Sequence, residues 1–242
     1  MDKPVLPGGR VTVLAGHYGS GKTSIAAWLA LEKRKRHERV TLCDLDIVNP
    51  YFRAEDNREL LEGAGVRLIS SAYAGSSVET PGFPPEAASV FDDPGAAAVI
   101  DVGGDDRGAL ALGRYELFRR LSGSGTPHGR GEADPEPDGI DILLVVNKFR
   151  PLSAGARDAC EICRGIEAAG RFRFTGIVNN SNLGAETAAR DVLDSLPYAA
   201  EIGESLALPV IAVSAARRLG DELRGRVENL WLMELYRKWV PL

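Results

Sequence analysis

The sequence predicts a three-layer α/β/α domain around a mostly parallel sheet of roughly seven strands. Short β-branched runs alternate with stretches of helical periodicity, the pattern of repeated βαβ units. Several of the runs are apolar on both faces, as strands covered by helices on both sides must be. The length of 242 residues suits one full core in such an arrangement, so residues 1–242 are expected to form a single domain.

The first strand is expected at 10–16 (RVTVLAG), leading through a glycine-rich turn into a helix at 23–36. A second strand at 39–45 (RVTLCDL) precedes a helix at 54–64 and a strand at 66–70 (VRLIS). The fourth strand, 97–103 (AAVIDVG), is followed by a helix at 107–121. Residues 122–139, SGSGTPHGRGEADPEPDG, offer almost nothing to bury and read as a flexible surface loop within the domain. Strands at 141–147 (DILLVVN), 174–180 (FTGIVNN) and 208–214 (LPVIAVS) follow, with a helix at 153–169 after the first of them. The C-terminal stretch 223–240 reads as an amphipathic helix with the stripe Leu223, Val227, Leu230, Trp231 and Leu235. Its acids and bases nearly balance, which favours docking on the sheet or on a partner over a membrane.

A formal charge of −5 gives no general attraction to nucleic acid or anionic lipid, so neither is an expected partner. No apolar run reaches the ~18 residues of a membrane span. The start, MDKPVLPGGR, lacks the basic-then-apolar pattern of an export signal, and the expected location is cytoplasmic. The cysteines Cys43, Cys160 and Cys163 are too few for a disulfide framework. Cys160 and Cys163 share a helical face and could converge on a metal in a dimer, but packing against the sheet is the expected role. The run EKRKRHER at 32–39 reads as a solvated face at a helix's negative end.

The chemistry concentrates at strand ends. Residues 16–23, GHYGSGKT, match G-x-x-x-x-G-K-[ST] between an apolar strand and a helix. In that setting the backbone of Gly16, His17, Tyr18, Gly19, Ser20, Gly21 and Ser24 cradles phosphates, Lys22 reaches the β- and γ-phosphates, and Thr23 offers its hydroxyl to Mg²⁺. In CDLD, Asp44 and Asp46 stand two apart and point the same way along a continued strand. In VIDVGGDD, Asp101 occupies the place of a magnesium-organising carboxylate, and Gly103 and Gly104 let the backbone approach a γ-phosphate, as a nucleotide switch does. Residues 147–150, NKFR, begin like a guanine-reading N-K-x-D motif. Arg150, however, presents only donors where guanine needs an acceptor, which favours ATP with Mg²⁺.

Together these stretches resemble the MinD/ParA superfamily of dimeric P-loop ATPases, which includes the nitrogenase iron protein. More loosely, the chain is similar to a group of bacterial ATP-binding proteins. The resemblance implies switch roles for Asp101, Gly104 and Asp105, orientation of the attacking water by Asp46, and support of the metal sphere by Asp44. Lys22, Asp46 and Asp105 would be the catalytic set, and Asn180, in GIVNN, would contact adenine. It also implies a homodimer and a separate protein partner, in metallocofactor maturation or cellular positioning. The family's signature lysine, directly after the first loop glycine, is replaced by His17, which gains charge only as pH falls from about 7.5 to 6. Dimerisation should strengthen over that range. The expected function is a slow Mg²⁺-dependent ATPase acting as a conformational switch. Two other readings stay open: a small-molecule kinase or ligase using Asp44 and Asp46 for metal and substrate, and a binding module with negligible turnover.

Overall fold

Seven of the apolar runs become strands in the computed structural model, which describes residues 3–45, 54–70, 85–93, 95–103, 109 and 139–234. These are β1 (Val11–Ala15), β2 (Val40–Leu45), β3 (Val66–Ser70), β4 (Ala97–Val102), β5 (Ile140–Val146), β6 (Gly176–Asn179) and β7 (Val210–Ala216). An eighth, β8 (Leu230–Met233), completes a single sheet in the order β3-β2-β4-β1-β5-β6-β7-β8, with every neighbouring pair parallel. The central strands β1 and β4 are buried along their whole length, as a sheet covered on both faces requires.

The helices among the described residues are α1 (Lys22–Arg34), α2 (Arg58–Gly63), α3 (Pro85–Asp92), α4 (Ala156–Gly170), α5 (Ala189–Asp194), α6 (Leu196–Leu206) and α7 (Gly220–Leu223). Alternation along β1 divides the core. Leu14 joins Ile25, Leu29 and Val145 under α1, whereas Val13 joins Leu144, Ile166 and Ile202 under α4 and α6. The result is an α/β P-loop NTPase fold. The expected helix at 107–121, apart from residue 109, and the expected loop at 122–139, apart from residue 139, lie outside the described residues.

The C-terminal stripe is a correction. Residues 220–223 are a short helix, but Leu230–Met233 is a strand with Trp231 and Met233 turned inward. Asn229 takes the left-handed φ of 41° just before it, which breaks any helical run there, and pairing with β7 overrides the helical spacing. A run of four apolar residues fits either period, so only the neighbouring strand decides. Leu235 lies outside the described residues.

The basic run is a second correction, because Lys33 is not solvated. It is buried, and its Nζ donates to the Gly9 carbonyl at 2.7 Å and to that of Arg10 at 3.5 Å. Arg10 is buried as well. It donates to the carbonyls of Val90, Phe91, Asp93 and Ala96, closing the C-terminal end of α3. The cysteines pack as small apolar groups: Cys43 lies in β2, and Cys160 and Cys163 lie on the buried face of α4. Burial pushes the thiols of Cys43 and Cys163 up to about 12, the opposite of what a metal-binding thiolate requires. No helix among the described residues is long and apolar enough to cross a membrane.

Candidate functional site

The loop of residues 16–21 leaves the carboxyl end of β1, between β4 on one side and β5 on the other. Ligands of open α/β sheets sit in the crevice outside such strand ends. Two loop glycines are required by their surroundings. Gly16 has φ +151° and a Cβ there would strike the Val145 carbonyl oxygen; Gly21 has φ +87° and a Cβ there would strike Nδ2 of Asn180. The turn is closed by the Ser20 N–H donating to the His17 carbonyl at 3.1 Å.

Gly21 also caps α1, and no side chain caps that end; the first turn holds no acid. Its leading N–H groups therefore face outward at the positive end of the helix dipole, an arrangement that suits phosphate. Lys22, buried, lays its Nζ 3.3 Å from the His17 carbonyl across the loop. Ser24 follows, partly exposed, in the same first turn, and Tyr18 in the loop is exposed. His17 is partly buried. Burial foremost, and the charge of Lys22 second, hold its imidazole below the ordinary histidine range. The expected gain of charge between pH 7.5 and 6 therefore moves to lower pH in the nucleotide-free protein.

On the β4 side, Thr23 Oγ1 donates to Asp101 Oδ2 at 2.5 Å. Asp101 stands opposite Leu14 of β1 and, on its other side, opposite Asp44 of β2. A hydroxyl and a carboxylate already in contact form the hard-oxygen donor set that Mg²⁺ takes, so these residues fit that ion. Asp44 has a further partner. Its Oδ2 accepts the Ala54 N–H at 2.9 Å and so anchors the turn Ala54–Asn57. Asp46, Gly104 and Asp105 lie outside the described residues.

The β5–β7 side is held by amides. Asn180 is placed under the loop rather than out toward a base: its Nδ2 donates to the Ser20 carbonyl at 2.7 Å, and its Oδ1 accepts from Ser214 Oγ at 2.5 Å. Behind it, Asn179 accepts from Ser181 and donates to Ser195 Oγ at 2.9 Å, and Asn147 Oδ1 accepts from the N–H groups of Phe149 and Asn182. Arg150 Nε donates to the Gly19 carbonyl at 2.7 Å on the outer side of the loop. Sequence reasoning missed this brace, whose one signal is that β5, β6 and β7 each carry a polar residue, Asn147, Asn180 or Ser214, at or near their carboxyl ends.

No family model and no curated protein sequence matches the chain. Among solved structures, it is similar to the signal recognition particle receptor FtsY from Elizabethkingia anophelis, at 22% identity and TM-score 0.45, covering 87% of this chain and 58% of that one. It is similar to the 54 kDa signal recognition particle protein from Aeropyrum pernix K1 in complex with GDP, at 19% identity and TM-score 0.48, covering 88% and 42%. It is also similar to FlhF complexed with GTP and Mg²⁺, at 13% identity and TM-score 0.48, covering 86% and 65%. The chain thus spans between two fifths and two thirds of the length of these proteins. At these scores the likeness bears on neither base nor partner.

Proposed function

We propose that the protein binds ATP with Mg²⁺, hydrolyses it slowly and acts as a nucleotide-dependent switch for a protein partner. One observation carries the reading: Thr23 touches Asp101 at 2.5 Å beside a buried Lys22 at an uncapped helix start. Thr23 and Asp101 would hold Mg²⁺, with Asp44 supporting from the neighbouring strand. The ion would neutralise charge on the β- and γ-phosphates. Lys22 and the N–H groups of the first turn bind the same oxygens and fix the γ-phosphate for in-line attack. Asp46 orients the water. Gly104 and Asp105 report the presence of the γ-phosphate to the partner-facing surface.

Adenine is favoured because Arg150 offers no acceptor to the N–H groups of guanine. The finer assignment to MinD/ParA-like dimeric ATPases and a cytoplasmic location belong to this same reading.

Asp46→Asn tests it. The variant should keep its affinity for ATP and lose at least about 100-fold in turnover, about 2.7 kcal/mol of transition-state stabilisation. Calorimetry and phosphate release measure the two separately. Equal hydrolysis by both proteins would take the water-orienting role from Asp46 and leave it a capping or substrate-binding carboxylate. No hydrolysis by the unaltered protein would sink the ATPase assignment, and turnover appearing only with an added small-molecule acceptor would replace it with a kinase.

A further inference from the structure

A cavity of about 530 Å³ lies alongside α1, lined by that helix and the residues just after it, by Lys3–Val5, and by β8 and the chain before it. Its size falls in the range of small-molecule sites. Trp28, Leu230 and Leu232 give it apolar walls, and Trp28 is backed by Trp231 at 4.9 Å between ring centroids. The two indoles differ. Trp231 Nε1 donates to the Val5 carbonyl at 3.1 Å, whereas Trp28 Nε1 is buried with no acceptor. A buried donor left unmet is costly, and Trp28 meets the cavity through its ring rather than through that N–H.

The charged lining is mostly cationic. Among the described residues that line it, Lys3, Lys35, Arg36, Arg217 and Arg224 outnumber a single carboxylate, Glu32. Lys35 pairs with Glu32, and Arg217 and Arg224 pair with Glu234 and Asp221 at the outside. Lys3 and Arg36 have no carboxylate partner among the described residues, and Arg36 donates only to the Pro4 carbonyl. A chain of net charge −5 thus concentrates cations around one apolar hollow, which focuses an anion there.

We infer that this cavity is a second binding site, separate from the phosphate loop, for a small anionic ligand with an aromatic-sized apolar body. The body packs on Trp28 and the two leucines, and the anionic group meets Arg36, Lys3 and Arg217.

The probe is 1-anilinonaphthalene-8-sulfonate, titrated into the full chain with the phosphate loop occupied by Mg²⁺-ADP. One saturable site is expected, with energy transfer from tryptophan to the bound probe. The double variant Arg36→Gln, Arg217→Gln should bind at least about tenfold more weakly. The uncharged N-phenyl-1-naphthylamine should be weaker by a similar factor, a comparison that needs no variant to fold. Lys22→Ala should leave probe affinity unchanged. The inference is overturned by an absence of saturable binding, by equal affinity for charged and uncharged probes, or by loss of the probe site in Lys22→Ala, which would make it part of the nucleotide site.

Discussion

Lys22 and Lys33 lie on one helix, about three turns apart, and are 4% and 2% exposed, yet their surroundings are opposite. Lys33 sits where α1 ends, among acceptors. The carbonyls of Gly9 and Arg10 take its ammonium, Asp141 is near enough to favour its charge, and the helix dipole there is negative. Lys22 sits where α1 begins, among donors, with the His17 carbonyl 3.3 Å away and no acid in the first turn. A buried cation among acceptors is a structural pin. A buried cation among unpaired donors is half of an anion site.

The sharpest way to break this contrast is to titrate Lys33. Burial holds its pKa down to about 8, with Arg36 and Arg10 adding to the shift and Asp141 opposing it. Between about pH 8 and its unfolded value the unfolded chain binds the extra proton, so stability should rise with pH across that window. The gain over Lys33→Met should be on the order of 3 kcal/mol by pH 10.5, read from denaturant melts of both proteins at each pH. Parallel curves would mean that the ammonium stays fully charged and is better solvated than its contacts indicate.

Next in size is the support under Lys22. Asn180→Ala leaves the Ser20 carbonyl and the Ser214 hydroxyl without their partner and should cost roughly 2 kcal/mol of stability, together with nucleotide affinity. A variant with normal melting but weakened adenine discrimination would instead return Asn180 to the base. Lys22→Ala should weaken ATP binding at least about tenfold, roughly 1.4 kcal/mol, without lowering the melting temperature. Lys33→Met should leave that affinity alone. Calorimetry giving equal losses for the two lysines would erase the distinction between pin and anion site.

The smallest expected effect is on His17, which reports the same field. Its imidazole should titrate below the ordinary histidine value in the free protein, move up in Lys22→Ala as the second cause of its depression is removed, and move up when Mg²⁺-ATP binds. Proton NMR of the ring follows all three. No response to nucleotide would place the ring away from the phosphates.

Most of the architecture was legible because buried parallel strands announce themselves as uninterrupted apolar runs, and because GHYGSGKT stands between one such run and a helix. β8 was not, since Leu-Trp-Leu-Met satisfies a helical stripe as readily as a strand until β7 is placed beside it. Lys33 was hidden for a related reason: inside EKRKRHER only the orientation of α1 on the sheet tells which of the cations faces inward. Asp44 was read for its charge, while its contact with the Ala54 N–H depends on where the chain returns after β2. The brace of Asn180, Ser214 and Arg150 joins residues 34 to 160 positions apart, and no local pattern encodes such a meeting.

The guanidinium of Arg10 carries a consequence for the order of assembly. Helix α3 has eight residues, too few to persist alone in water, and its terminal carbonyls are gathered by a side chain some eighty positions earlier in sequence. The last turn of α3 therefore gains its cap only after the chain leading into β1 has come beside β4, whose Ala98 N–H bonds the Arg10 carbonyl. Closing so long a span is slow compared with local helix formation. The expected order of folding therefore completes α3 late, after the centre of the sheet is in place.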